Sequence, residues 1–72
     1  MEVQMNAVTS SNVEAIGYDT KSSTLVVDFI GGTQYEYYGV PESIYNTFLA
    51  ADSKGKFVWA HLRDRYQYKQ TI

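Results

Sequence analysis

The chain has 72 residues and therefore has room for a single small domain. It contains no cysteine and one histidine, which excludes disulfides, cysteine-ligated zinc and histidine-rich metal sites. The formal net charge of −2 is unevenly divided, because seven acidic residues and one basic residue lie in 1–52, whereas five basic residues and one acidic residue lie in 53–72. Such a split is typical of a basic face for an anionic partner, or of two halves that attract each other within one fold.

The N-terminal residues and the hydropathy pattern bear on location. Residues 1–6 lack the basic segment followed by an apolar run that marks a secretory signal. No stretch approaches the roughly 20 apolar residues that a membrane span needs. We therefore expect a cytoplasmic protein without a membrane partner, in which residues 1–72 form one domain and residues 1–12 are a loosely ordered lead-in.

Three strands are predicted over residues 13–18, 24–30 and 33–40, with turn residues at 19–23 and at Gly31-Gly32. The apolar pattern decides the register of the second hairpin. A two-residue loop would place the tyrosines of the third strand beside Asp28, whereas a three-residue loop pairs Phe29 with Thr33. The three-residue loop, with Gly32 in a left-handed conformation, collects the apolar side chains on one face. These are Leu25, Val27, Phe29, Tyr35 and Tyr37.

Two helices are predicted after the strands. Pro41 suits the first position of a helix, and its apolar stripe comprises Ile44, Tyr45, Phe48 and Leu49. Residues 52–55 break this helix and Ser53 can cap a second one. The inward stripe of the second helix comprises Phe57, Val58, His61 and Leu62, with Trp59 off the stripe.

The predicted fold is thus α+β, with a three-stranded antiparallel meander followed by two short helices packed on one face. The alternation at residues 66–68 is compatible with a short C-terminal fourth strand. Tyr35 and Tyr37 are expected in the core under the helices. Tyr38 is expected on the opposite, open face of the sheet, together with Val26, Asp28 and Glu36.

Several short motifs occur in a fixed order along the chain: Gly17-Tyr18-Asp19, Leu25-x-Val27-x-Phe29, Gly32, Tyr35-x-Tyr37, Val40-Pro41, Ala51-x-Ser53-x-Gly55 and Arg63-x-x-Tyr66-x-Tyr68. Their order and spacing resemble those of the KTSC domain. This family is named for the C-terminal region of some lysyl-tRNA synthetases, and it also occurs as free-standing small bacterial proteins. The resemblance implies a small α+β domain, and its attachment to a synthetase suggests RNA as a partner.

Basic and aromatic residues are interleaved in the C-terminal segment, as in nucleic-acid-binding surfaces. Lysines and arginines would contact phosphates, amide groups at the start of the second helix would assist, and Trp59 or Tyr68 would stack on an unpaired base. An ordinary serine cap and a solvated helix face would give a similar pattern. The predicted RNA or anion site comprises Ser53, Lys54, Gly55, Lys56, Trp59, Arg63, Arg65 and Tyr68.

No arrangement of residues indicates catalysis, because no nucleophile is paired with a base at a recognisable spacing. We expect a non-catalytic binding module without cofactor or metal. The alternative to RNA is a protein partner or a homodimer, formed through the open face of the sheet where Val26 and Tyr38 lie among polar residues.

Overall fold

The computed structural model describes residues 3–72. It is an α+β fold in which a five-stranded antiparallel sheet has the order β1-β2-β3-β4-β5. The strands are β1 (Asn6–Ala7), β2 (Val13–Asp19), β3 (Thr24–Phe29), β4 (Gln34–Tyr37) and β5 (Tyr68–Gln70). The helices α1 (Glu42–Ala50) and α2 (Lys54–Phe57) lie between β4 and β5, and α2 continues into a π-helical turn at Val58–Leu62. No helix in residues 3–72 is long and apolar enough to cross a membrane.

The predicted register of the second hairpin is confirmed. Tyr35 pairs with Val27 and Tyr37 pairs with Leu25, and the Phe29 N–H donates to Thr33 O at 2.8 Å. Gly32 has φ +97°, in the region that favours glycine, and Gly31 has φ +111°. The three-residue loop therefore brings the apolar side chains of β3 and β4 to the helix-facing side of the sheet.

The core lies between that side of the sheet and the two helices. The ring of Phe48 in α1 stacks on that of Phe57 in α2 with centroids 4.9 Å apart. Tyr18 stacks on Tyr45 at 5.0 Å and donates a hydrogen bond to Val40 O at 2.5 Å, which fixes α1 over β2. The buried cluster comprises Val13, Ile16, Leu25, Val27, Tyr37, Val40, Phe48, Phe57, Val58 and Leu62.

The sheet has five strands, which is two more than the three-stranded meander predicted from the sequence. The predicted return near the C-terminus is present as β5, shifted to residues 68–70, where Tyr68 pairs with Tyr37. The other strand, β1, lies within the expected lead-in, where Asn6 pairs with Ile16. Neither Asn6 nor Ala7 favours a strand, and β1 forms because the edge of β2 offers unpaired backbone groups.

The N-terminal segment also covers part of the face that we expected to be open. Gly17 is opposite Val26 in the register, and a Cβ on Gly17 would come within 2.6 Å of Val3 Cγ1 and 2.8 Å of Gln4 O. Residues 3–5 therefore cross this face where Gly17 leaves room. Val26 is 4% exposed, so the prediction that it lies on an open surface is wrong.

The helices differ from their predicted patterns at three residues. Pro41 is the residue before α1 and not its first helical residue. Leu49 is 38% exposed, so the inward stripe of α1 is narrower than predicted. His61 is exposed, with its ring 4.6 Å from that of Phe57. The Arg63 N–H donates to Val58 O at 2.9 Å, an i→i+5 hydrogen bond of a π-helical turn. Each residue of such a turn rotates by a smaller angle about the helix axis than in an α-helix. The side chain of His61 therefore does not face the sheet.

Candidate functional site

A groove of about 560 Å³ runs between the π-helical turn and strands β4 and β5, where the helices leave the sheet uncovered. A volume of this size is typical of a site for a small molecule or for part of a larger ligand. We call it the aromatic groove, after the side chains that dominate its wall. These are Phe29, Tyr35, Tyr37, Trp59, Arg63 and Tyr68.

Three tyrosines form the floor of the aromatic groove. Tyr35 stacks on Tyr68 with ring centroids 5.7 Å apart and on Tyr37 at 6.3 Å. Tyr35 and Tyr37 are two residues apart in β4, so their side chains point to the same face of the sheet. The β4–β5 register places Tyr68 opposite Tyr37 on that face. Tyr37 is buried, whereas Tyr68 is 53% exposed. The floor therefore passes from the core at one end to solvent at the other.

The wall opposite the tyrosines is formed by Trp59 and Arg63. Trp59 is 69% exposed, as predicted from its place off the inward stripe. The guanidinium carbon of Arg63 lies 3.9 Å from the centroid of the indole ring, which is close cation–π contact. One face of the indole is thus covered by a flat cationic group, and this group lines the groove.

A second depression adjoins the aromatic groove at Trp59. It is lined by Ser11, Asn12, Ser53, Gly55, Lys56, Trp59 and Ala60, and we call it the Lys56 depression. Ser53 Oγ accepts a hydrogen bond from the Lys56 N–H at 3.3 Å, which confirms the predicted helix cap. Among the described residues that line the two concavities, the charged ones are Arg63 and Lys56, and none is acidic. The surface around Trp59 is therefore positive in a chain that is negative overall.

Six of the eight predicted site residues line the aromatic groove or the Lys56 depression. They are Ser53, Gly55, Lys56, Trp59, Arg63 and Tyr68. Lys54 does not, because it is buried and its ammonium donates to Ala51 O and, at 3.0 Å, to Leu49 O. Lys54 is therefore a structural residue that closes the end of α1, which corrects its assignment as a phosphate contact. Arg65 is exposed and lines neither concavity in the described part of the chain.

The sequence analysis did not place Ser11, Asn12, Ile30 and Thr33 at the site. The Ile30 N–H bonds to Asn12 O at 2.9 Å, which joins two loops that are distant in sequence. A Cβ on Gly55 would lie 2.6 Å from Asn12 Nδ2, so this glycine allows the 11–12 loop to approach the second helix. The three-residue hairpin loop was the available signal for Ile30 and Thr33, whereas no local pattern marks Ser11 or Asn12.

On the opposite face of the sheet, the polar side chains bond to one another. Gln34 Nε2 donates to Asp28 Oδ1 at 2.7 Å, and Tyr38 Oη donates to Glu36 Oε1 at 3.0 Å. Lys69 pairs with Glu36 in the register, so it lies on this face and away from the aromatic groove. With Val26 covered, this face gives a protein partner less exposed apolar surface than the sequence predicted.

Titration offers a check on the groove floor. Burial, and to a lesser extent Tyr35 and Tyr68, raise the pKa of Tyr37 from 10 to about 12, while the positive charge of Arg63 acts in the opposite direction. Between these values the unfolded chain loses a proton that the native chain keeps, so stability falls as pH rises from about 10 to about 12. We expect the thermal midpoint of Tyr37→Phe to fall less than that of wild type over this range. Equal declines in the two proteins would contradict the assignment.

Among the described residues, no group of three His, Cys, Asp or Glu side chains is arranged to hold a metal ion. The candidate site is lined instead by aromatic rings, one guanidinium and one ammonium group.

The family follows from comparison with known proteins. The profile of the KTSC domain family matches residues 9–66, which is most of the chain. The chain belongs to this family. The crystal structure of a KTSC domain protein from Yersinia pestis superimposes with a TM-score of 0.91 at 32% identity, covering 99% of this chain and 100% of that one. A protein of Tsukamurella paurometabola is 41% identical over 63 residues, which are 88% of this KTSC domain and 94% of that protein.

A third kind of relative is much longer. A lysine–tRNA ligase of Nostoc punctiforme is 30% identical over 60 residues, which are 83% of this chain but 11% of the ligase. Similar ligases occur in Nostoc sp. and Trichormus variabilis. A KTSC-like segment is therefore a small part of each of these ligases.

Proposed function

We propose that this KTSC domain binds single-stranded RNA weakly, through the aromatic groove and the Lys56 depression. The observation that carries the proposal is the composition of this surface. Exposed rings of Trp59 and Tyr68 stand beside Arg63 and Lys56, and no acidic side chain is among the described lining residues. Rings on which bases stack, combined with cations that contact the backbone, are the common features of proteins that bind single strands.

The charge distribution supports an anionic ligand. Residues 1–52 carry seven acidic residues and one basic residue, so this part of the chain repels a polyanion. Repulsion from these residues and attraction to Lys56 and Arg63 both favour approach toward the two cations. The relatives that are lysine–tRNA ligases support RNA over other polyanions, because those enzymes are named for a tRNA substrate.

Two cations at the surface imply a modest affinity. Few phosphates can be contacted at once, so binding is expected near the weak end of the range for non-specific complexes, with a Kd of about 10–100 μM at low salt. The slope of log affinity against log salt should be about −0.7 for each phosphate contacted on a single strand. One or two contacted phosphates give a slope of about −0.7 to −1.4.

Fluorescence anisotropy of a labelled single-stranded RNA tests the proposal. At about 50 mM salt we expect saturable binding that weakens as salt is added. The double charge reversal Lys56→Glu with Arg63→Glu should weaken binding at least about tenfold, because attraction becomes repulsion at both cations.

The matched control is Lys21→Glu, which reverses an exposed lysine in the turn between β2 and β3. Lys21 lines neither concavity, and its turn joins β2 to β3, whereas the groove is bordered by β4 and β5. The control should bind within about twofold of wild type, because water and salt screen an exposed charge that does not contact the ligand. Absence of binding below about 100 μM, or equal losses in the control and the double reversal, would remove the proposal.

A further inference from the structure

Trp59 separates two concavities of different chemistry. The indole lines both the aromatic groove and the Lys56 depression. The groove side offers the face of a guanidinium and three stacked tyrosine rings. The Lys56 depression offers the Lys56 ammonium and the Ser53 hydroxyl, and it shares Ser11 and Asn12 with the groove. One side therefore suits a flat ring, and the other suits a phosphate.

The position of Arg63 decides where a ring can be held. Its guanidinium covers one face of the indole at 3.9 Å, and Arg63 lines the aromatic groove together with the tyrosines. The guanidinium is therefore part of the groove wall. A base that enters the groove stacks on the free face of the guanidinium, which extends the Trp59–Arg63 stack by one ring.

The Lys56 depression lacks such rings apart from the shared indole. Lys56 is exposed at the surface, so its ammonium is available to a phosphate, for which a compact charge with three donors is suitable. Hydroxyl and amide groups nearby can donate to further phosphate oxygens. The two concavities adjoin, because they share Ser11, Asn12, Gly55 and Trp59, so a base and an adjoining phosphate of the same strand can reach both.

We infer that the site takes one unpaired base in the aromatic groove, against Arg63, and the adjoining backbone phosphate at Lys56. This inference rests on the proposed function and makes it more specific. The ligand is then a strand with an exposed base, because a base within a duplex presents no free face to Arg63. Arg63 contributes affinity that requires a base in the ligand. Lys56 contributes affinity that requires only a phosphate and weakens as salt is added.

Three ligands of equal length separate these contributions: a short oligoadenylate, its abasic ribose-phosphate analogue, and a duplex of the oligoadenylate with its complement. Quenching of Trp59, the single tryptophan of the chain, reports binding. Oligoadenylate should bind about 5- to 150-fold more tightly than the abasic strand, which is the range for one stacked base. The duplex should bind at least about fivefold more weakly than the single strand.

Two conservative variants assign the roles. Arg63→Lys keeps the positive charge but removes the planar guanidinium on which a base would stack. The variant should bind oligoadenylate at least about fivefold more weakly and bind the abasic strand with unchanged affinity. Lys56→Gln should make the salt slope less negative by about 0.7 for both strands. The inference is overturned, with RNA binding intact, if the abasic strand or the duplex binds as tightly as oligoadenylate. Failure of all three ligands to bind would instead overturn the proposed function.

Discussion

Replacing Tyr37 with alanine is expected to lower the free energy of unfolding by about 3–5 kcal/mol, the usual cost of removing a large aromatic side chain from a core. Tyr37 is 3% exposed and belongs to the main buried cluster. It also joins the core to the groove floor through ring contacts with Tyr35 at 6.3 Å and Tyr68 at 5.8 Å. A domain of this size has a stability of only a few kcal/mol, so the variant should be largely unfolded.

Tyr35→Ala is the matched control, since Tyr35 has the same chemistry and lies two residues away on the same strand and face. Its side chain is half-buried, so truncation removes less area from the interior and should cost about 1–2 kcal/mol. Urea unfolding of both variants measures the difference. The packing described here would be contradicted if Tyr35→Ala were the more destabilised variant, or if both stayed within about 0.5 kcal/mol of wild type.

The hairpin between β3 and β4 could be predicted because the alternation of apolar and polar residues shows which side chains must share a face, and this fixes the register. Two alternating segments and two glycines leave two loop lengths, and only one of them keeps Asp28 and Glu36 away from the core. The strand β1 could not be predicted in this way, because Asn6 and Ala7 contribute backbone pairing without a side-chain pattern. The covering of Val26 followed from the same missed segment.

The second helix shows where periodicity fails. Its apolar residues predict an α-helical stripe that includes His61, and that stripe is interrupted by the π-helical turn at Val58–Leu62. The i→i+5 hydrogen bond from the Arg63 N–H to Val58 O has no signature in apolar spacing. The four-residue spacing of the buried Val58 and Leu62 also fits an ordinary α-helical turn. Trp59 and Arg63 remain neighbours, so these two candidate residues lie together although the helix that carries them differs from its prediction.

The residue types of the candidate site could be predicted from the sequence, but not all of the residues that line it. Interleaved basic and aromatic residues led to Trp59, Arg63 and Tyr68, which the structure brings to one groove. Lys54 and Lys56 look equivalent in sequence, yet one is buried and the other is exposed. The difference comes from the sharp turn after α1, which places two carbonyl groups within reach of Lys54 alone.

That difference predicts opposite outcomes for one charge reversal at two neighbouring lysines. Lys54→Glu removes the donor to Leu49 O and Ala51 O and places a carboxylate against both oxygens. An uncompensated buried charge costs about 3–5 kcal/mol. An acidic residue in the first turn of α2 recovers at most about 1 kcal/mol from the helix dipole, so the loss prevails. We expect Lys54→Glu to unfold at much lower urea concentration than wild type.

Lys56→Glu should leave stability unchanged or slightly raised. Lys56 is exposed, and its N–H already bonds to Ser53 Oγ. A glutamate there completes a Ser-x-x-Glu capping box, in which its side chain can reach the Ser53 N–H. Urea curves for the two variants test the contrast, and similar midpoints would show that the ammonium of Lys54 does not support the end of α1. Lys56→Glu also carries the informative charge reversal for RNA binding, because any loss of affinity in Lys54→Glu would follow from unfolding.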